Sequence, residues 1–154
     1  IMPSLVGSEM CIRDSGGREL KHLVSEFLKS LEVDVVDCGV PRDDASSVDY
    51  PDYAEKVTHC INNGEAERGI LVCGTGIGMS IAANKVDGIR ATLVWDEFTA
   101  KMSRLHNDSN VLCLGERVLN HSRALDFVKI WLDAEFEGSR HQKRLDKITA
   151  LQSK

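Results

Sequence analysis

The stretch Gly69 to Gly78, GILVCGTGIG, constrains this chain more than any other. Gly69 to Cys73 is a short apolar run with no polar alternate, so a strand formed there must be covered on both faces. A loop with glycine at positions 74, 76 and 78 follows at once, then a run of small residues from Met79 to Lys85 with the composition of a helix. A doubly covered strand feeding a helix through a glycine turn belongs to a parallel sheet with helices on both sides. In such sheets the ligand sits off the carboxyl ends of the strands. Cys73 and the loop behind it fall at that place.

The rest of the chain repeats the alternation. Leu20, Leu23, Val24, Phe27, Leu28 and Leu31 recur at helical spacing, and Val33 to Cys38 reads as a short strand closed by Gly39 and Pro41. Pro51 suits the first turn of a second helix, which Asp49 would cap and Asn62-Asn63-Gly64 would stop. Arg90 to Val94 and Val111 to Leu114 are further strands. Phe98 to Leu105, Ser122 to Phe136 and Arg140 to Leu151 are further helices. The pattern predicts a three-layer α/β/α sandwich around a Rossmann-like parallel sheet of about five strands. The loops after Cys73, Val94 and Leu114 should form its functional edge, with His106-Asn107-Asp108 ending a helix close by. A chain of 154 residues supports one such domain, placed here at residues 16–154.

Residues 1–15, IMPSLVGSEMCIRDS, fit this scheme badly, because they show neither strand nor helix period. They read as an atypical segment, a scar of gene prediction or sequencing; the alternative is a weak edge strand near Met10 to Arg13. The expectation is a segment that is irregular or only briefly strand-like.

A net charge of −5 argues against a nucleic-acid partner, which needs a basic face. No apolar run reaches the length of a membrane span, and no charged-then-apolar leader opens the chain, so the expected address is the cytoplasm. The five cysteines (Cys11, Cys38, Cys60, Cys73, Cys113) form no C-x-x-C pair, and the histidines show no ligand spacing. No disulfide framework and no metal site are expected.

Chemistry concentrates in a few places. A thiol at the mouth of a glycine loop and a helix N-terminus would have its pKa lowered; otherwise Cys73 is an ordinary buried cysteine. The loop lacks Gly-Lys-Ser/Thr, and Met79 stands where a third dinucleotide-binding glycine would be. An oxyanion cradle built from Gly74 to Gly78 fits better than a nucleotide site. His106 suits acid–base work, or serves as a dipole partner at a helix end. Arg140 and Arg144 lie one turn apart and can grip one phosphate together, or, paired with acids such as Glu137, can equally be solvated surface charge; Arg117, on a strand-to-helix loop, is a third candidate.

Longer blocks carry a resemblance. Val48-Asp49-Tyr50-Pro51-Asp52-Tyr53-Ala54, the run from Cys73 to Lys85, Ser103-Arg104-Leu105-His106-Asn107-Asp108, Gly115-Glu116-Arg117-Val118 and Glu137 to Arg144 are similar to the type B ribose-5-phosphate isomerase family. The resemblance covers about Gly17 to Ile148. It implies a cofactor-free interconversion of ribose 5-phosphate and ribulose 5-phosphate, a step of the pentose phosphate pathway. It implies Cys73 as the base, His106 as the residue assisting ring opening, and Gly74, Thr75, Gly76, Ile77 and Gly78 as the oxyanion loop. Asn107, Arg117, Arg140 and Arg144 match substrate-binding positions. It further implies a homodimer with shared active sites. Allose- and galactose-6-phosphate isomerases share these motifs, and a non-catalytic sugar-phosphate-binding module is the remaining alternative. The departure is at the start, where Asp14 matches a substrate-binding aspartate by register and Ser15 stands in place of the family's histidine.

Overall fold

The structure, a computed structural model, describes residues 5–7 (as backbone), 18–38 and 49–154. In chain order the elements are β1 (Leu5–Gly7), α1 (Arg18–Ser30), β2 (Val35–Asp37), α2 (Tyr50–Asn62), β3 (Arg68–Cys73), α3 (Ile77–Ala83), β4 (Ala91–Leu93), α4 (Glu97–Leu105), β5 (Val111–Gly115), α5 (His121–Asp133) and α6 (Arg140–Leu151). The strands form one parallel sheet in the order β2-β1-β3-β5-β4.

Two apolar layers sandwich it, and strand alternation decides which residue faces which. Ile70 and Val72 of β3, with Leu112 and Leu114 of β5, pack with Leu20, Val24 and Leu28 of α1 and with Phe127, Val128 and Trp131 of α5. The intervening residues Leu71, Cys73, Val111 and Cys113 face the other way, onto Ala54 and Val57 of α2 and Met79 and Ala83 of α3. Burial of both faces is why β3 from Gly69 onward and all of β5 are apolar.

The three-layer sandwich is therefore as the pattern predicts, with local corrections. The first strand lies at Leu5–Gly7, hydrogen-bonded on both sides between β2 and β3 rather than at an edge. Residues 10–13 and Asp14 lie outside the described residues. Asp49 takes the N-cap position of α2 without a side-chain cap bond, whereas Asp96 caps α4 by accepting from the Thr99 N–H at 2.7 Å. That bond, with the Thr99 hydroxyl second, holds the Asp96 carboxyl below its ordinary range. Helix α5 stops at Asp133, short of Phe136, because Ala134 turns extended (φ −75°, ψ 135°) and lets the Glu137 N–H reach Leu105 O at 3.0 Å. Among the described residues, no helix is long and apolar enough to cross a membrane.

Candidate active site

Strand β3 ends by delivering Cys73 to the α2–α3 side, 5% exposed, with its Sγ accepting a hydrogen bond from the Gly76 N–H at 3.1 Å. The chain bends round the sulfur because Gly76 is left-handed (φ 78°). A Cβ there would lie 2.5 Å from Leu93 Cδ1 and 3.1 Å from Leu114 C. The loop is seated on β5: the Glu116 N–H donates to Cys73 O and the Arg117 N–H to Gly74 O, each at 2.9 Å. A Cβ on Gly115 would fall 2.5 Å from Thr75 O, so the loop rests on bare strand backbone. At Gly78 the missing side chain is replaced by the Tyr50 ring, 2.5 Å from where a Cβ would stand. Thr75 and Ile77 are exposed beside this turn, and the Thr75 hydroxyl accepts from the Ile77 N–H at 3.3 Å. The Arg117 side chain lies against Gly74.

Two other described thiols, Cys113 and Cys38, are held away from the thiolate form. Full burial pushes Cys113 strongly upward, with nearby Cys73 adding to it. Cys38 is pushed up to about 12 by burial, then by its contact with Cys60, whose sulfur is 3.7 Å away. High pKa values of this kind suppress the thiolate that nucleophilic or basic work needs.

A second cluster gathers around the end of α4. His106 is its C-cap, stacked on His141 of α6 with ring centroids 4.2 Å apart and planes 16° from parallel. His141 is buried, its Nε2 3.4 Å from Glu137 Oε2. Desolvation, then the neighbouring His106 and Arg140, lower its pKa and keep it neutral further into the acid range. Arg140, Lys143, Arg144 and Lys147 line an open hollow of about 390 Å³ on the same helix. Asn107 borders a groove between the start of β4 and α6. His106, Glu137 and His141 bring ligand-type atoms within 4.8 Å of one another. Near-parallel rings, however, cannot both aim their in-plane lone pairs at one ion about 2 Å away, as imidazole ligation requires.

The two clusters lie at opposite ends of the sheet, and this corrects the expected placement of His106 and Asn107 beside the Cys73 loop. Cys73 pairs with Gly115 at the carboxyl ends of β3 and β5, whereas Asn110, three residues after Asn107, accepts from the Gly69 N–H at their amino ends. Strand β5, at about 3.3 Å per residue, separates the two by roughly 13 Å or more. The reason is topological: α4 leaves the carboxyl edge after β4 and must return to the amino edge before parallel β5 can begin. Cys73, Gly74 to Gly78 and Arg117 thus share one end. His106, Asn107, Arg140 and Arg144 share the other.

Three residues of these clusters were not singled out for a role by sequence reasoning. Gly115 is visible in hindsight as a glycine closing an apolar strand, a sign of close backbone approach. Tyr50 and His141 stand inside recognisable blocks, but their contacts are made by tertiary packing.

Comparison with known proteins matches these elements. The family model described as Ribose/Galactose Isomerase matches residues 10–148. Ribose-5-phosphate isomerase B of Escherichia coli is 44% identical over 141 residues, covering 92% of this chain and 93% of that protein. The structure of Clostridium thermocellum ribose-5-phosphate isomerase B is similar at a TM-score of 0.90 with 47% identity, over 99% of this chain and 98% of that one. That of the Mycoplasma genitalium ribose-5-phosphate isomerase B with bound ribulose-5-phosphate is similar at 0.86 with 42% identity, over 97% and 95%. With a family match over most of its length, identities of 44% and 47% and a shared fold, the chain belongs to the ribose/galactose isomerase family, among its type B ribose-5-phosphate isomerases.

Proposed function

We propose that this chain is an aldose–ketose isomerase interconverting ribose 5-phosphate and ribulose 5-phosphate, with Cys73 as the base. The observation that carries this reading is the Cys73 sulfur held under a turn of backbone N–H groups and accepting from Gly76. In the open-chain aldose, the thiolate of Cys73 removes the proton on C2, and the electron pair moves to make an enediolate with negative charge on O1. N–H groups of the Gly74–Gly78 loop stabilise that charge as it develops. The proton returns to C1 while the O2 proton moves to O1, leaving a ketone at C2 with no net gain or loss of atoms or electrons. His106 opens the sugar ring beforehand by moving a proton at the ring oxygen, and Arg140 and Arg144 hold the phosphate.

This division of labour requires a second copy of the chain, because the base and the ring-opening group lie at opposite ends of one sheet. Helix α6 buries only His141 and Leu145, leaving Ile148 and Leu151 exposed; Ile77 and Ile81 beside the thiol loop are exposed too. A homodimer in which α6 of one copy approaches the Cys73 loop of the other covers both patches. The cytoplasm, where sugar phosphates are made and consumed, is the compartment this reading implies. Mixing Cys73→Ala and His106→Ala proteins, each defective in turnover from ribose 5-phosphate, and assaying in that direction tests it. Exchange of subunits restores about a quarter of the wild-type sites, those pairing an intact thiol with an intact histidine. No recovery after proven exchange refutes the shared site. Parallel assays on allose and galactose 6-phosphates decide the sugar, and an absence of turnover on every aldose phosphate refutes the enzyme reading.

A further inference from the structure

The turn that follows His106 is held in a way the proposed reaction does not use. Asp108 adopts a left-handed backbone (φ 45°), which aspartate tolerates better than most residues. Its carboxylate stands between two guanidinium groups from different elements: Arg104 Nη1 donates to Oδ1 at 2.8 Å and Arg90 Nη2 to Oδ2 at 3.2 Å. The same arginines hold three consecutive backbone carbonyls. Arg90 Nε donates to Asn107 O at 3.0 Å and to Asp108 O at 3.1 Å, and Arg104 Nη1 donates to Ser109 O at 2.7 Å. Arg104 is 6% exposed although charged; its Nη1 is paired by the acceptors of this turn, while its Nε is buried without a partner among the described residues.

We propose that Asp108 is a positioning residue for His106 and Asn107, the anion that fixes Arg90 and Arg104 so that their donors lock the turn carrying both side chains. The inference rests on the isomerase reading of this cluster. A floppy turn would cost the ring-opening step most, since a proton must be delivered to one ring oxygen from one direction.

The two directions of the reaction separate that effect from general damage. Ribose 5-phosphate is mostly closed through O4 and needs opening. Ribulose 5-phosphate, with its C5 oxygen esterified, has no hydroxyl placed to close a ring on C2. Asp108→Gly is the informative variant, because glycine accepts the positive φ while removing the carboxylate. It is expected to lower kcat from ribose 5-phosphate by about 10²-fold and kcat from ribulose 5-phosphate by no more than about threefold. KM for ribose 5-phosphate falls in step, because closed rings then bind unproductively and the kcat/KM ratio of the two directions stays at the equilibrium constant. Asp108→Asn, which keeps an acceptor and tolerates the turn, is expected to recover part of the loss. Proton NMR of the His106 imidazole should also shift in Asp108→Gly as its stacking on His141 loosens. Equal losses in both directions, or unchanged turnover and an unmoved His106 signal, overturn the proposal. His106→Ala is the control for the underlying reading. If it shows the direction-selective loss and Asp108→Gly does not, the positioning role fails alone. If His106→Ala shows no such selectivity, the ring-opening role fails, and the His106 signal decides whether Asp108 holds that side chain.

Discussion

Gly115 lies directly beneath Thr75, so close that the first carbon of any side chain at 115 would stand 2.5 Å from the Thr75 carbonyl oxygen and 2.6 Å from its carbon. A residue of β5 therefore shapes a loop that follows β3, and the thiol's surroundings depend on a strand that carries no reacting group. Gly115→Ala forces the loop off the strand or strains the strand itself, since backbone cannot yield as a flexible side chain does. The expected cost is about 1–3 kcal/mol of stability, with activity reduced further than stability because the loop amides lose their aim. Thermal melts beside steady-state rates check this; a stable variant with normal kcat would show that the loop tolerates displacement.

Removing the thiol should separate binding from chemistry. Cys73→Ala is expected to lose turnover by several orders of magnitude while retaining affinity for sugar phosphate, because the base acts mainly in the transition state. Cys113→Ala and Cys60→Ser should keep kcat, Cys113→Ala at some loss of stability from its fully buried site. Calorimetric titration with ribulose 5-phosphate and single-turnover kinetics read the two effects separately.

Arg140→Ala combined with Arg144→Ala should raise KM by about 10²-fold with a smaller change in kcat, from two lost charge-assisted contacts to phosphate. Both guanidinium groups are exposed, so the wild-type KM should itself rise with ionic strength. A double variant that saturates at wild-type concentrations, with no salt dependence, would move the phosphate elsewhere.

Glu116 gives the fold a pH dependence of known sign. Its Oε1 accepts from the Leu20 N–H at 3.1 Å, while Oε2 is buried without a partner among the described residues, and burial raises its pKa above the ordinary 4.5 against smaller opposing effects of Leu20 and His121. Between 4.5 and that raised value the folded protein holds more protons than the unfolded chain. This contribution is thus complete at lower pH and is lost as pH rises through the window. Glu116→Gln keeps an acceptor for Leu20 and removes the titration, so its urea-unfolding free energy should lack this fall. Parallel curves for the two proteins across acid pH would show that Glu116 titrates alike in both states.

The sequence was most legible where one physical demand acted alone. The apolar run ending at Cys73 needed two covered faces, and α6 was read with its boundaries intact because its apolar period and its flanking residues agree. The end of α5 was not legible, because Ala134 leaves the helix for a long-range bond from Glu137 to Leu105. The placement of His106 failed for a different reason: the end of α4 was set close to the edge from which that helix starts. Helix direction alone contradicts that, since a helix following a strand ends at the sheet's other edge.

The pairing in the sheet is uneven, and this bears on how the molecule breathes. β3 and β5 share five registered pairs, from Gly69–Val111 to Cys73–Gly115, whereas β1 offers three to each neighbour. Partial opening follows the weaker seams, so amide hydrogens on the β2 side exchange before those between β3 and β5. Cys73 hangs from the seam that parts last, and fluctuations that loosen half the sheet leave its thiol where it was.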